Sequence, residues 1–191
     1  MYDGGLFRRV DRIRFALREF DFVSTHPDHF LHVTLLPVGF VVDEPSEPDE
    51  VTATQLSAMA AVGGRALGAE RAIPLDLANV NSFPAAPFIE IRNADEVVRL
   101  RNLLEGVSRD EGLLDRESPR ENLHEQEFVP HLSVAYYTAA APNAKLIETI
   151  EWFRGRPIGR VSIKSVQLAT IETAVPYPPL VPIVDVPLMG N

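Results

Sequence analysis

Two short apolar segments of this chain share one pattern, and that pattern constrains the fold more than any other feature. The sequence runs Leu-His-Val-Thr-Leu from position 31 and Pro-His-Leu-Ser-Val from position 130. Alternate residues of an extended strand point to the same face. His32 and Thr34 are therefore expected to project together, as are His131 and Ser133, while the apolar residues between and after them face a core. Each half of the chain thus predicts one strand that presents an imidazole beside a hydroxyl.

The order of the predicted elements around these segments is also repeated. Apolar residues at helical spacing predict helices, and apolar runs bounded by turn residues predict strands. The first half is predicted to contain a helix over 6–20, a motif strand over 30–37, a helix that begins at a Thr52–Gln55 capping box, and strands over 73–80 and 87–92. The second half is predicted to contain a helix that begins near 93, a charged loop over 109–126, a motif strand over 128–137, a helix from Pro142 to Gly155, and strands over about 158–171 and 180–188.

Each half therefore has the order helix, motif strand, helix, strand, strand, which predicts an α+β fold. We expect a single domain over residues 1–191, with two lobes formed approximately by residues 6–92 and 93–191. The two lobes would be related by a pseudo-twofold axis, with antiparallel sheets around a central cleft. Such packing would bring the two motif histidines face to face across the cleft.

The composition excludes several classes of function. The chain has 191 residues, a net charge of −9 and no cysteine. The charge argues against the broad basic surface that a long duplex nucleic acid requires, although it permits a nucleotide or an RNA end. The missing cysteines exclude disulfides, thiolate catalysis and cysteine-bound zinc. The N-terminus does not have the layout of a signal peptide and the longest apolar stretch is too short for a membrane span, so we expect a soluble cytoplasmic protein.

Two opposed histidines suit proton transfer on both sides of a phosphate. The ordinary histidine pKa lies near 6.5, so a facing pair can hold one protonated and one neutral ring at physiological pH. The neutral ring can deprotonate an attacking water while the protonated ring protonates the departing oxygen. The hydroxyls of Thr34 and Ser133 can donate to the non-bridging phosphate oxygens. This chemistry needs no metal and no cofactor.

The two motifs and the order of elements between and after them resemble the two-histidine (2H) phosphoesterase superfamily. The similarity is strongest to its bacterial 2′-5′ RNA ligase and cyclic phosphodiesterase branch, and it covers roughly residues 10–188. The resemblance implies that His32, Thr34, His131 and Ser133 are the catalytic residues. It also implies a phosphodiesterase that hydrolyses a 2′,3′-cyclic phosphate, or a related phosphodiester of a nucleotide or RNA end, without a metal.

Three further residues are candidates for substrate binding. Tyr137 follows His131 and Ser133 on the same strand face and could line the cleft, although a rim or core aromatic is an equally simple reading. Phe83 lies in the turn between two predicted strands, where it could stack on a base or anchor the turn. Arg92 follows Glu90 on one strand face and could meet a phosphate or serve as an ordinary surface arginine.

Three alternatives remain open at this stage. The first is 2′-5′ RNA ligation or cleavage of 2′-5′ linked oligonucleotides, which predicts a basic rim that the sequence does not show as a stripe. The second is a non-catalytic nucleotide-binding domain of the same fold. The third is a zinc hydrolase that uses His26, His29 and His32, which could converge only on a helix, and Pro27 disfavours one. The oligomeric state does not follow from any of these patterns.

Overall fold

A computed structural model of the chain describes residues 4–110, 112–113, 128–139 and 144–189. Most of the predicted charged loop and the predicted helix start at Pro142 lie outside the described residues. The helices are α1 (Gly4–Leu17), α2 (Ala53–Leu67), α3 (Asp95–Asp110) and α4 (Ala144–Phe153). The strands are β1 (Val23–Thr25), β2 (Phe40–Val41), β3 (Glu50–Val51), β4 (Ile73–Ser82), β5 (Pro87–Ile91), β6 (His131–Ser133), β7 (Ala135–Tyr137), β8 (Pro157–Ile163), β9 (Ser165–Thr170) and β10 (Val181–Pro187).

The first two helices form for the reasons that the sequence indicates. Val10, Ile13 and Leu17 of α1 are buried on one stripe, as their spacing predicts. The predicted capping box at α2 is confirmed, because the Thr52 hydroxyl accepts from the Gln55 backbone amide while the Gln55 side chain accepts from the Thr52 amide.

A four-stranded antiparallel sheet in the order β6-β5-β4-β8 forms one layer of the molecule. One of its faces is apolar and contributes Leu75, Leu77, Ile89 and Ile91 to the core. Helix α1 packs against β8 and α4 packs against β4, and together they cover this face. The opposite face of the sheet carries mainly polar side chains, together with Phe88.

A second layer combines α2 and α3 with the antiparallel pair β9–β10. A Cβ at Gly63 would lie 3.3 Å from Leu104, so the glycine allows α2 and α3 to approach closely. Val186 of β10 belongs to the same hydrophobic core as the four-stranded sheet. The α+β class with antiparallel sheets is thus confirmed, with the two-residue strands β2 and β3 as a parallel exception.

Strands from both halves of the sequence pair side by side. In the four-stranded sheet β4 and β5 come from residues 6–92, while β6 and β8 come from residues 93–191. The pair β1–β7 also joins the two halves. Because each half of the sequence supplies strands to a shared sheet, one hydrophobic core connects the two halves. The division of a single domain into two lobes stays a prediction.

The predicted strand over 30–37 is wrong. Asp28–Phe30 forms a short 3-10 helix, and residues 31–39, all of which are described, belong to no helix or strand. The apolar residues Leu31, Val33 and Leu35 nevertheless pack against the core as the alternation predicts. The pattern therefore indicated burial correctly, whereas a strand also requires a backbone partner that the pattern cannot specify.

None of the described helices is long and apolar enough to span a membrane.

Candidate active site

The second motif lies on the open, polar face of the four-stranded sheet. His131 pairs with Glu90 and Ser133 pairs with Phe88 across the β5–β6 ladder. Directly paired residues share a face, so these four side chains project together, while Leu132 packs on the core side. The predicted shared face of His131 and Ser133 is confirmed here. The predicted strand over 128–137 is instead divided into β6 and β7, which belong to different sheets.

The His131 ring is held by its own backbone and by two aromatic rings. Its Nδ1 lies 2.7 Å from the carbonyl oxygen of Val129. The ring meets Phe83 and Phe88 edge to face, with centroid separations of 4.9 and 5.4 Å. Phe83 and Phe88 stack on each other at 4.1 Å, so they form one aromatic wall beside the histidine.

His32 of the first motif is held in the same way. Its Nδ1 lies 2.8 Å from the carbonyl oxygen of Phe30, and the Phe30 ring meets it edge to face at 5.1 Å. In both motifs the acceptor is thus the carbonyl two residues before the histidine. Because a carbonyl can only accept, each Nδ1 donates a proton, which leaves Nε2 of each ring as the nitrogen that can exchange one with a substrate.

His26 links the two motif segments, a role that its sequence context does not indicate. Its amide donates to the carbonyl of Val134 at 2.9 Å, and its Nδ1 donates to the carbonyl of Ser133 at 3.1 Å. Its ring meets Phe30 edge to face at 5.1 Å. The side chain therefore contacts the second motif on one side and, through Phe30, the first motif on the other.

The His26 ring is neutral at physiological pH. Only 6% of the residue is exposed, and burial lowers its pKa to about 4. The hydrogen bond to Ser133 acts in the opposite direction, and the charges of His32 and Arg14 add to the lowering. No sequence signal marks this burial, since it arises from residues far apart in the chain.

A second link joins the far ends of the two segments. Arg101 of α3 is buried and donates to the carbonyl of Leu35 at 3.1 Å. Its guanidinium also lies 4.3 Å from the centre of the Phe128 ring. Leu35 follows the first motif and Phe128 precedes the second, so this arginine fixes the segments relative to each other.

The open face also carries a polar network around Glu90 that was not predicted from the sequence. The Glu90 carboxylate accepts from the side-chain amides of Asn79, at 2.5 Å, and Asn81. Asn79 adopts a left-handed backbone with φ of 54° at an irregularity in the β4 ladder. Strained residues and bulges are concentrated at functional sites. The polar residues of the otherwise apolar strand β4 are the signal that could have indicated an open polar face.

The remaining predicted site residues differ in their surroundings. Thr34 is exposed and Ser133 is half-buried. Tyr137 lies in β7, packs against the core and contacts Ser82 through its hydroxyl at 2.7 Å, at the strand end that leads to Phe83. Arg92 is exposed next to Asp76, whose pKa is held low, first by the Arg160 hydrogen bond and also by the Arg92 charge.

The zinc alternative is wrong. Within the described part of the chain, no group of three histidine, cysteine, aspartate or glutamate side chains is close enough to hold a metal ion. His26 and His32 direct Nδ1 at carbonyls, and the Nε2 of His29 lies 3.0 Å from the carbonyl of Tyr177. The three side chains are therefore engaged separately by the backbone.

Comparisons with known proteins identify the family and similar folds. A family model described as the 2′-5′ RNA ligase superfamily matches residues 3–174. The fold is similar to the crystal structure of TT0787 of Thermus thermophilus, with a TM-score of 0.68 and 20% identity over 100% of this chain and 95% of that one. It is also similar to E. coli LigT complexed with NADP+, with a TM-score of 0.67 and 14% identity over 98% and 94% of the two chains.

A third similar structure is E. coli LigT complexed with 3′-AMP, with a TM-score of 0.60 and 16% identity over 93% of this chain and 91% of that one. At these identities the structural likeness concerns the fold alone. A search of curated protein sequences gave no match.

Proposed function

The chain belongs to the 2′-5′ RNA ligase superfamily, a two-histidine phosphoesterase family, and from that premise we propose that it is a metal-independent phosphodiesterase. The proposed substrate is a 2′,3′-cyclic phosphate, or a related phosphodiester of a nucleotide or RNA end. The proposed catalytic residues are His32, His131, Thr34 and Ser133.

The matched tethering of the two motif histidines carries this proposal. Each ring donates through Nδ1 to the carbonyl two residues earlier, at 2.8 Å for His32 and 2.7 Å for His131. A histidine that serves only as a surface residue has no need of a fixed tautomer. Two rings that both keep Nε2 available are suited to one acid and one base.

The reaction follows from these two nitrogens. The neutral ring accepts a proton from water through Nε2 as the water oxygen bonds to phosphorus. The bond between phosphorus and one ribose oxygen breaks, and the protonated ring donates its proton to that oxygen. The product is a ribose monophosphate, and the two rings have exchanged protonation states. The hydroxyls of Thr34 and Ser133 donate to the non-bridging oxygens, where negative charge increases.

Small substrates fit the charge and the surroundings of the site. The net charge of −9 disfavours extended polyanions. E. coli LigT, which has a similar fold, forms complexes with NADP+ and with 3′-AMP, and this supports a small nucleotide substrate. The stacked pair of Phe83 and Phe88 beside His131 offers a surface for a base.

One observation favours 2′-5′ ligation or cleavage as a second candidate. Arg92, Arg154 and Arg160 come from three separate segments and lie near the open face: Arg154 donates to Asn81 at 3.1 Å, while Arg160 and Arg92 interact with Asp76. They could contact phosphates on a longer strand, as the ligase hypothesis predicts. Asp76 and Glu90 share this face and offset part of the positive charge, which is why hydrolysis of a small substrate is the first proposal.

The decisive experiment measures turnover without metal. The EDTA-treated protein is incubated with 2′,3′-cyclic nucleotides and with 2′-5′ linked dinucleotides, beside His32→Ala and His131→Ala. His29→Ala, which truncates an exposed histidine outside both motifs, is the matched control. We expect wild-type turnover, a loss of at least about 100-fold in both motif variants, and little change in the control.

Other outcomes discriminate between the hypotheses. If the protein binds a nucleotide but turns over no substrate, and if binding is unchanged in both motif variants, the result would support the non-catalytic domain instead. Turnover only after a metal is added would contradict the metal-independent mechanism. Joining of an RNA 5′-hydroxyl end to a 2′,3′-cyclic phosphate end, in preference to hydrolysis, would establish the ligase.

A further inference from the structure

The buried His26 side chain has no role in the mechanism proposed above, although it lies between the two motifs. Its ring is excluded from solvent with 6% of the residue exposed. A buried histidine that does not reach the open face requires another explanation. Its ring also meets those of Tyr136 and Tyr177, but two of its contacts, with Ser133 and with Phe30, lead to proposed catalytic residues.

On one side, His26 fixes the backbone of the second motif. The His26 ring donates to the carbonyl of Ser133, and the His26 amide donates to the carbonyl of Val134. Ser133 is the proposed hydroxyl donor and lies two residues after His131. A hydrogen bond to its own carbonyl restricts the peptide plane from which the hydroxyl projects.

On the other side, His26 supports the residue that orients His32. The His26 and Phe30 rings meet at 81° with centroids 5.1 Å apart, and the Phe30 and His32 rings meet at 86° at the same separation. The carbonyl that accepts from His32 Nδ1 belongs to Phe30 as well. Displacement of Phe30 would therefore change both the packing and the hydrogen bond of His32.

We propose that His26 is a positioning residue, which sets the separation of the two catalytic motifs by holding Ser133 through a hydrogen bond and His32 through Phe30. The proposal rests on the proposed function for its catalytic consequence. It predicts that loss of the Nδ1 donor slows the reaction while leaving substrate affinity nearly intact. Displacements of about 1 Å in positioned groups can cost about 100-fold in rate.

The test compares two substitutions with a matched control. His26→Leu removes the donor and the ring, whereas His26→Asn retains a side-chain amide near the position of Nδ1. Ile150→Ala in α4 truncates a buried residue outside both motifs and controls for general destabilisation. Steady-state kinetics with a 2′,3′-cyclic nucleotide and urea unfolding are measured on all three proteins and the wild type.

For His26→Leu we expect kcat to fall by about 10- to 100-fold, with KM within about 3-fold. Both limbs of the pH–rate profile should remain, because His26 neither accepts nor donates the transferred protons. His26→Asn should recover part of the lost rate. A folded His26→Leu with kcat within about 2-fold of the wild type, or the loss of one limb, would overturn the proposal.

A second measurement does not depend on catalysis. The imidazole nitrogens of the protein, labelled with 15N-histidine, are followed by NMR. We expect the resonances of both His32 and His131 to shift in His26→Leu and to stay unchanged in Ile150→Ala. Unchanged resonances in His26→Leu would overturn the positioning role even if the protein proves inactive. Shifted resonances in an inactive protein would support the positioning role and refute only the proposed function.

Discussion

Acid is expected to weaken the folded state through His26, by an amount that can be calculated from the burial of its ring. Burial is the largest cause that lowers its pKa from 6.5 to about 4. The unfolded chain therefore takes up a proton near pH 6.5, while the folded protein resists protonation of this ring until about pH 4. At about 1.4 kcal/mol per pKa unit, the difference corresponds to about 3 kcal/mol.

The sign follows from which state binds more protons. Between pH 6.5 and 4 the unfolded state carries the extra proton, so the free energy of unfolding decreases as the pH falls through this range. The contribution is complete above pH 6.5 and is lost near pH 4. The groups that face His26 include Arg14, His32 and Tyr177. Burial raises the pKa of Tyr177 to about 12, so that phenol stays neutral throughout.

Urea unfolding of the wild type and His26→Leu at intervals from pH 7 to pH 4 measures the effect. Carboxylates with lowered pKa values, such as Glu50, Glu70 and Asp76, contribute to both proteins and cancel in the difference. The stability advantage of the wild type over His26→Leu is expected to shrink by about 3 kcal/mol across the range. His29→Gln, altered at an exposed histidine, should retain the wild-type pH dependence. A difference between wild type and His26→Leu that stays constant from pH 7 to pH 4 would refute the reasoning.

Three further predictions concern the backbone, a buried cation and the base surface. Gly159→Ala should destabilise the protein by about 2 kcal/mol, because the φ of Gly159 is 152° and a Cβ would lie 2.9 Å from side-chain atoms of α1. Gly106→Ala should instead stabilise it by about 0.5–1 kcal/mol, because a Cβ at Gly106 meets nothing within 4 Å. Equal effects of the two changes in urea unfolding would contradict this. Arg14→Met should lower the free energy of unfolding by about 2 kcal/mol in the same assay, because the carbonyl of His26, 2.7 Å from the guanidinium, loses its donor. The two exposed carboxylates that pair with Arg14 regain water and add little to this loss. A decrease below about 0.5 kcal/mol would count against the prediction. Phe83→Ala should raise KM for a cyclic nucleotide about 10-fold, and kcat should also fall because the ring packs against His131. An unaltered KM in steady-state kinetics would remove Phe83 from the base subsite.

Several parts of the fold were predictable because they depend on nearby residues. The stripe of Val10, Ile13 and Leu17 fixes the buried side of α1, and the Thr52–Gln55 capping box fixes the start of α2. Both features involve residues that lie within one or two helical turns of each other, so they can be recognised from the sequence alone. The alternation in the second motif likewise placed His131 and Ser133 on one strand face.

The same kind of pattern failed in the first motif for a specific reason. Residues 30–37 alternate as a strand would, and their apolar side chains pack against the core, yet no strand forms there. Alternation reports which side chains are buried. It does not report whether a backbone partner lies alongside, and the partner of a strand is supplied by residues distant in sequence.

The sequence by itself determined the α+β class, the positions of most helices and strands, and the two histidine–hydroxyl pairs that indicate a two-histidine phosphoesterase. Only the tertiary structure decided which carbonyls orient His32 and His131, which aromatic rings flank them, and that His26 lies between the motifs. The physical reason is that periodicity encodes local geometry and burial, whereas ring contacts, desolvation and the bond from His26 to Ser133, 107 positions away, depend on how distant segments pack. The pKa of His26 is lowered first by burial and also by the charges of His32 and Arg14, and no local pattern in the sequence records that environment.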